Sequence, residues 1–553
     1  MFNPFFEATH TGEREGSDWL GYWDETNSSD TPSQTAANTT LQADRAQAQS
    51  ILRFSGAPFF VNNYPFSSNY NENAGGQYFI DATDRKRGPF ADAVARHPML
   101  YSRYHKSKYF CSTCHDVSNP VLANLAYANA RPGDNVILPT ERYPAYSYYH
   151  VERTFSEFIL SAYGQQGGAP GIGPFAPERF RTSFPNNYIA TCQDCHMRDV
   201  PGKGCDMRNA PNRPSREHPK SGVPTHDLTG GNIWVPWLLA STVPRSPNYD
   251  PINAQLLRQG PNVLTLDLTQ GLGLNPAALL NAVERARAML QAAASIQILQ
   301  YDRTSGRLRF RVQNQTGHKL ISGFPEGRRM FVNIKVYRGG QLIHEVNPYD
   351  HAVGTLKGLP PSYSPHSPPL APHEVYRDEL VYEAQMSSSL TDEAKTFHFV
   401  LADRRYKDNR IPPKGFRIEE AVGRLCEPVW EGQSRPDYFT PDEYAGGYDE
   451  VSLLVPAGAD RIEVNLYYQV TSREYMEFLR DEINGTGRLT LPARAYIAQT
   501  DPFFARLRAW GNTIWQLWDR NKHVPGAAPF LMTQATWTSH KPSPVPSPPP
   551  IRR

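Results

Sequence analysis

Two five-residue words, "CSTCH" at Cys111–His115 and "CQDCH" at Cys192–His196, use four of the six cysteines in the chain. For this cysteine and histidine content, chance supplies roughly 0.002 occurrences of C-x-x-C-H. Each word places two thiols at a fixed short spacing and an imidazole directly after them. No other pattern in the sequence constrains the local backbone as tightly. Zinc is the first alternative, since two C-x-x-C pairs can make a four-cysteine site. About 77 residues lie between Cys114 and Cys192, however, against about 12–20 between the pairs of ordinary zinc modules. A thioredoxin-like C-x-x-C needs a βαβ setting, which the flanking sequence does not offer.

Covalent haem c fits both words. Two thiols must reach two vinyl groups on one porphyrin edge, and the adjacent histidine then lies under the iron as its proximal ligand. Cys111, Cys114 and His115 would hold one haem, and Cys192, Cys195 and His196 a second. The second axial ligand decides the chemistry: histidine gives a low-spin electron carrier, methionine raises the potential, and an open position admits substrate. Histidine is concentrated here, with six of the sixteen between residues 101 and 236. The leading distal candidates are His226 in "HDLTGG", His318 in "TGHKL" and His105 in "YHKSKYFC". His97, His150 and His218 rank below them. A lone histidine is more often a surface or hydrogen-bonded residue, so the haem setting is what singles these out. Met197 follows His196 too closely to reach the opposite face of the same haem.

Bulk properties narrow the class. A chain of 553 residues exceeds one core and should form two to four units. Its 49 prolines favour long ordered loops and β-rich or irregular structure over a helical bundle. A net charge of +2 gives no reason to expect nucleic acid or an acidic membrane surface as partner. No run of about 18 apolar residues occurs, so no transmembrane helix is expected. The opening "MFNPFFEATHTGEREG" lacks the basic and apolar regions of a secretory signal. Haem c is attached outside the cytoplasm, so a periplasmic or extracellular location is expected, with the export signal upstream of Met1. Cys205 and Cys426 remain. In an exported protein they can pair, tying the haem module to the downstream domain; otherwise they are two free, buried thiols.

The expected fold class is α+β and irregular: a loop-rich haem module, a linking helix and a β-sandwich. Residues 1–100 are polar and aromatic, with runs such as "NSSDTPSQTAANTT" that read as loops. Residues 101–240 form the dihaem module, and 241–295 a linker with a helix. In that helix Asn275 is the cap, Pro276 suits the first turn, and Leu279, Val283, Ala286 and Leu290 recur at helical spacing. Such a face predicts a packing strut between units. Residues 296–535 form a β-sandwich-like domain with C-terminal helices, and from about 296 the period changes to two. In "RLRFRVQNQ" Leu308, Phe310 and Val312 alternate with Arg307, Arg309 and Arg311. "FVNIKVY" alternates at Val332, Ile334 and Val336 and meets the hairpin signal Gly339-Gly340. "TFHFVLA", "EVSLLVP" and "RIEVNLYYQV" continue the pattern, which suggests an immunoglobulin-like sandwich. A helix is predicted over Arg473–Ile483, with a capping box of Thr471 and Glu474 and with Gly485 beyond its end. The tail from 536 to 553 ends in "KPSPVPSPPPIRR", which is polyproline-like.

Longer blocks carry a resemblance. "RYHKSKYFCSTCHDVSNPV", "ERTFSEFILSAY" followed by "TCQDCHM", and "HDLTGGN" resemble successive blocks of large multihaem c-type cytochromes. "NQTGHKLISGFPEGRRMFVNIKVY", "KDNRIPPKGF" and "YYQVTSREYMEFLRDE" are similar to the β-rich C-terminal part of that family. The resemblance runs from about residue 80 to 535 and implies electron transfer with redox proteins as partners. Such proteins carry further C-x-x-C-H motifs upstream, whereas residues 1–80 here contain no cysteine. Those haems are lost from this chain, or its N-terminus is incomplete, and two haems are expected in either case. Three functions compete. The first is an electron carrier with two bis-histidine haems, which is not an enzyme. The second is a haem oxidoreductase, which needs one open iron. The third is a β-sandwich interaction module whose haem sites matter little. Intact words in both places weigh against the third, and the surplus of candidate ligands favours the first.

Overall fold

The computed structural model describes Phe2 and residues 31–50, 60–61, 64–65, 79–88, 97–102, 104–117, 152–182, 184–200, 223–258, 273–324, 327–388, 391–399, 402, 404–484 and 502–539. The polar run expected as loop is helical in its second half, where Thr31–Ala48 forms α1. Its partners explain the difference. Strands β1 (Lys86–Gly88) and β2 (Met99–Tyr101) pair in parallel beside it. Thr40 Oγ1 donates to the Tyr101 carbonyl, and Asp44 pairs with Arg87. Residues that prefer caps and turns in isolation are held in a helix by tertiary contacts. Four short helices follow and carry or flank the two cysteine words: α2 (Lys108–Ser112), α3 (Thr154–Ile159), α4 (Cys192–His196) and α5 (Val235–Ser241). Helix α6 spans Pro251–Arg258.

Helix α7 runs from Pro276 to Ala293, as its spacing predicts, with the Asn275 side chain accepting from the Ala278 amide at 3.1 Å. Val283, Ala286 and Leu290 are buried in the main core, while Met289 and Ala292 pack on a second cluster built from Phe158, Tyr163, Phe175 and Phe180. One helix thus braces two apolar clusters. It leads without a break into β3 (Ala294–Tyr301), which pairs with β4 (Arg307–Asn314).

The main sheets add β5 (Arg329–Arg338), β6 (Gln341–Val346), β7 (Glu374–Val375), β8 (Val381–Tyr382), β9 (Ala384–Ser388), β10 (Glu393–Thr396), β11 (Arg404–Asp408), β12 (Val429–Trp430), β13 (Gln433–Ser434), β14 (Tyr448–Leu454) and β15 (Arg461–Gln469). Helices α8 (Arg473–Asn484) and α9 (Pro502–Asn521) precede β16 (Phe530–Thr538). One sheet has the order β7-β6-β5-β15-β16, with β8 also on β5; a second is β14-β4-β3, and a third β10-β9-β11-β12-β13. Leu308, Phe310 and Val312 of β4 share a core with Val332, Ile334 and Val336 of β5 and Ile462, Val464 and Leu466 of β15. Burying each such side chain contributes about 1.5–3 kcal/mol. On the outer face of β4, Arg309 and Arg311 both reach Glu450 of β14. Gly339 and Gly340, at φ 58° and 77°, close the β5–β6 hairpin as the glycine pair predicts.

The fold is therefore mixed helix and sheet, and among the described residues no sheet closes into a barrel. Two sheets share a core, but the parallel β6–β7 pair and the separate third sheet do not establish an immunoglobulin-like sandwich. Two local expectations change. The strand expected through "TFHFVLA" ends at Thr396, because Phe397 and Phe399 turn to pack on Tyr475 and Phe397 also meets Phe478. Helix α8 forms as predicted but is capped by Ser472, whose Oγ accepts the Tyr475 amide at 3.2 Å. Glu474 is drawn inward instead, to Thr355, Ser364 and Arg329. Gly485, Cys205 and the proline-rich run from Lys541 lie outside the described residues. No helix among those described is long and apolar enough to cross a membrane.

Candidate cofactor-attachment site

The first word stands on a polar base that is itself buried. Cys111 lies in the last turn of α2, and the amides of Cys114 and His115 donate to its carbonyl at 3.2 and 2.9 Å. Ser112, Thr113 and Asp116 beneath it are buried. Tyr104 bonds the Thr113 hydroxyl, and Ser156 Oγ donates to Asp116 at 2.7 Å. These partners satisfy buried polar groups that would otherwise cost about 1–3 kcal/mol each. The reactive groups point outward from this base: Cys114 is exposed and Cys111 half-buried. The His115 ring is 55% exposed, and its Nδ1 lies 2.9 Å from Glu152 Oε1. That carboxylate raises the His115 pKa.

The second word is a capped turn of helix. Asp194, three residues past the cap Thr191, accepts from the Ala190 and Thr191 amides at 2.9 and 2.8 Å. This is the reciprocal half of a capping box. Cys192 and Cys195 pack against the cluster of Phe158, Tyr163, Phe175 and Phe180, and burial drives the Cys195 thiol pKa upward. The two words, distant in sequence, meet. Gln193 Nε2 donates to the Ser107 carbonyl at 2.9 Å, just ahead of the first word. The Cys111 and Cys192 thiols are near enough to interact, which raises the pKa of Cys111 and lowers that of Cys192. The four thiols do not converge on one point. Among the described residues no group of three or more histidine, cysteine or carboxylate side chains could hold a bare metal ion. The donor set therefore does not suit a four-cysteine zinc site.

Two imidazoles come together at the second word. His196 Nδ1 lies 2.6 Å from the Thr229 carbonyl, and His318 Nδ1 lies 2.9 Å from the Lys319 carbonyl. A ring nitrogen facing a carbonyl carries the proton, so each Nε2 keeps its lone pair. The two rings are 6.2 Å apart between centres and inclined by 14°. Metal–nitrogen bonds of about 2 Å place two imidazoles on one ion about 6 Å apart between centres, so the spacing fits. Burial lowers the pKa of His196 and pushes that of His318 down to about 4, which keeps both neutral. His105, in the turn Tyr104–Lys106, packs against Tyr104 and Phe110. Its buried Nδ1 has no hydrogen-bond partner among the described residues, and burial pushes its pKa down to about 4. An orphaned ring nitrogen of this kind suits a site completed by a cofactor.

The other candidates are placed differently. His226 is exposed on a turn beside the second word, next to the Asp227–Arg285 pair at 3.5 Å. Its segment nevertheless serves the site, because Thr229 of the same "HDLTGG" stretch supplies the carbonyl that orients His196. His97 is exposed, and His150 and His218 lie outside the described residues. Cys426 is buried among Leu160, Phe416, Phe439 and Tyr444, and its expected partner Cys205 is not described. Sequence reading missed Glu152, although it opens the "ERTFSEF" block. It also missed the carbonyls of Thr229 and Lys319, which have no side-chain signature.

A scan against protein-family models gives no match, and a search of curated proteins finds no relative. Among solved structures the chain is similar to a penta-haem cytochrome c552 from Thermochromatium tepidum, at 12% identity and a TM-score of 0.36, over 89% of this chain and 74% of that one. A likeness this distant assigns neither fold nor function.

Proposed function

We propose that the chain is an electron-transfer c-type cytochrome with two covalent haems, one on Cys111, Cys114 and His115 and one on Cys192, Cys195 and His196. When bound, haem supplies one-electron chemistry at its iron. The observation that carries the reading is the near-parallel pair His196 and His318. The Thr229 and Lys319 carbonyls hold the protons on Nδ1 and free both Nε2 atoms for ligation, as second-shell acceptors do for metal-bound histidine. Glu152 does the same for His115. The distal ligand of the first word is drawn from His105 and His226. An iron with two imidazoles has no vacancy for substrate, so the chain passes electrons between redox proteins. A periplasmic or extracellular location follows from where haem c is attached.

The test is His318→Ala in protein matured with a haem-attachment system. Thioethers should keep both haems attached, with the mass of two haems added, while one haem becomes high-spin and binds carbon monoxide after reduction. The wild type should be low-spin and inert to carbon monoxide. A wild type that already binds it at a high-spin iron would favour an oxidoreductase.

A further inference from the structure

Beside His318 lies a charged cluster that ligation alone does not require. The Glu157 side chain has 0% exposure. Its Oε1 accepts from Arg410 Nη2 at 2.7 Å, and its Oε2 accepts from Ser322 Oγ at 3.1 Å and from the Lys319 amide at 3.2 Å. Lys319 is the residue whose carbonyl orients His318. Its ammonium and the Arg410 guanidinium both bind Asp408, at 3.0 and 2.9 Å. With Glu157 ionised the cluster holds two cations and two anions; with Glu157 protonated it carries one net positive charge. The Cys426 thiol is close enough to feel the Glu157 charge. At the start of α3 stand Glu152 and the Asp116–Arg153 pair, whose charges are 3.7 Å apart.

From Glu157 a row of hydroxyls leads outward. Ser322 Oγ bonds Thr154 Oγ1, which donates to Glu152 Oε1 at 2.7 Å. The Glu152 side chain is 11% exposed and touches the half-exposed His115 ring. A salt bridge that only stiffens the fold has no use for such a row. The two hydroxyls hold two protons for three contacts, so a proton arriving at Glu152 fills the row and turns each hydroxyl to donate toward Glu157. We propose that Glu157 takes up one proton from solvent, through Glu152, Thr154 and Ser322, when the iron on His196 and His318 is reduced. This rests on the ligand reading above. The balance is simple: one electron arrives from a one-electron donor protein, ferric iron becomes ferrous, and the Glu157 carboxylate plus one proton becomes a carboxylic acid. Loss of one positive charge at the iron offsets the positive charge the cluster gains. Burial, opposed by Arg410 and Lys319, pushes the Glu157 pKa up to about 7, so the proton can be held near neutrality.

The experiment is a spectroelectrochemical titration of the haem-loaded full chain across neutral pH. One proton per electron gives a midpoint that falls by about 59 mV per pH unit. In the wild type, one haem should approach that slope. Glu157→Gln should flatten it while the spectrum stays low-spin. Thr154→Val should leave the slope and slow proton uptake after rapid reduction. A pH-independent wild-type midpoint, or an unchanged slope in Glu157→Gln, overturns the proposal; a purely structural Glu157 would shift thermal stability without touching the slope. If Glu157→Gln fails to take up haem, redox-difference infrared spectra of the wild type decide. A carboxylic acid C=O band that appears on reduction is expected, and its absence overturns the proposal. A His318→Ala variant that stays low-spin strikes the ligand reading itself, and the proposal with it.

Discussion

Asp408 receives Lys319 and Arg410 in a place where all three side chains are almost fully buried. Removing one partner of such a group leaves charge without compensation, which costs about 3–5 kcal/mol. Asp408→Ala should therefore lower stability by that amount in urea titrations, far more than loss of an exposed pair such as Arg435–Asp437. Asp449 makes a different prediction. It accepts the hydroxyl of fully buried Tyr382 at 2.6 Å, and burial pushes its pKa up to about 7. A raised carboxyl pKa means that the folded state holds a proton the unfolded chain has released. Stability from this group is full below the ordinary carboxylate range and falls as pH rises toward about 7. Asp449→Asn should keep an acceptor for Tyr382 and remove that fall. Urea midpoints of the variant should match the wild type in acid and exceed it above neutrality, by at most about 1.4 kcal/mol per pKa unit.

Among the elements, α7 shows where local and tertiary causes divide. Its start is a local matter of Asn275 and Pro276, and Asn275→Ala should cost about 1 kcal/mol. Its middle belongs to the core. Leu290→Ala should cost about 2–5 kcal/mol, because neighbours on the sheets cannot close the cavity. Thermal or urea unfolding of the two variants should rank them in that order. The same division explains the misreadings. Thr471 and Glu474 have the spacing of a capping box, but the buried Arg329 claims Glu474 and leaves the cap to Ser472. The run Thr31–Ala48 has weak helical preference and is held by Tyr101 and Arg87, which no local window contains.

Across the whole molecule, helix α3, which flanks the cysteine words, is bonded with the residues after it to loops between the strands. The Ala162 amide donates to the Lys414 carbonyl at 2.9 Å, and the Arg417 amide to the Leu160 carbonyl at 2.9 Å. Glu157 binds Arg410, and Thr154 bonds Ser322. These bonds should make the site and the sheets unfold as one unit. Haem absorbance and far-ultraviolet circular dichroism are expected to give coincident urea transitions. Loss of the haem signal at lower urea would mark the site as a separate unit.

What the sequence determined by itself is what neighbours in the chain can cause. The alternation in Arg307–Asn314 and Arg461–Gln469, the Gly339-Gly340 turn, the Asn275 cap and the two C-x-x-C-H words all follow from short-range geometry, and each is visible within a dozen residues. The words also named the four cysteines and two histidines of the candidate site. Only the tertiary structure placed His318 against His196 while leaving His226 exposed, brought Cys111 to Cys192, and assembled Glu157, Lys319, Asp408 and Arg410 in one buried cluster. These residues are far apart in the chain. Their meeting depends on which apolar faces bury together and on which buried charges must find a partner, and neither is set by any single stretch of sequence.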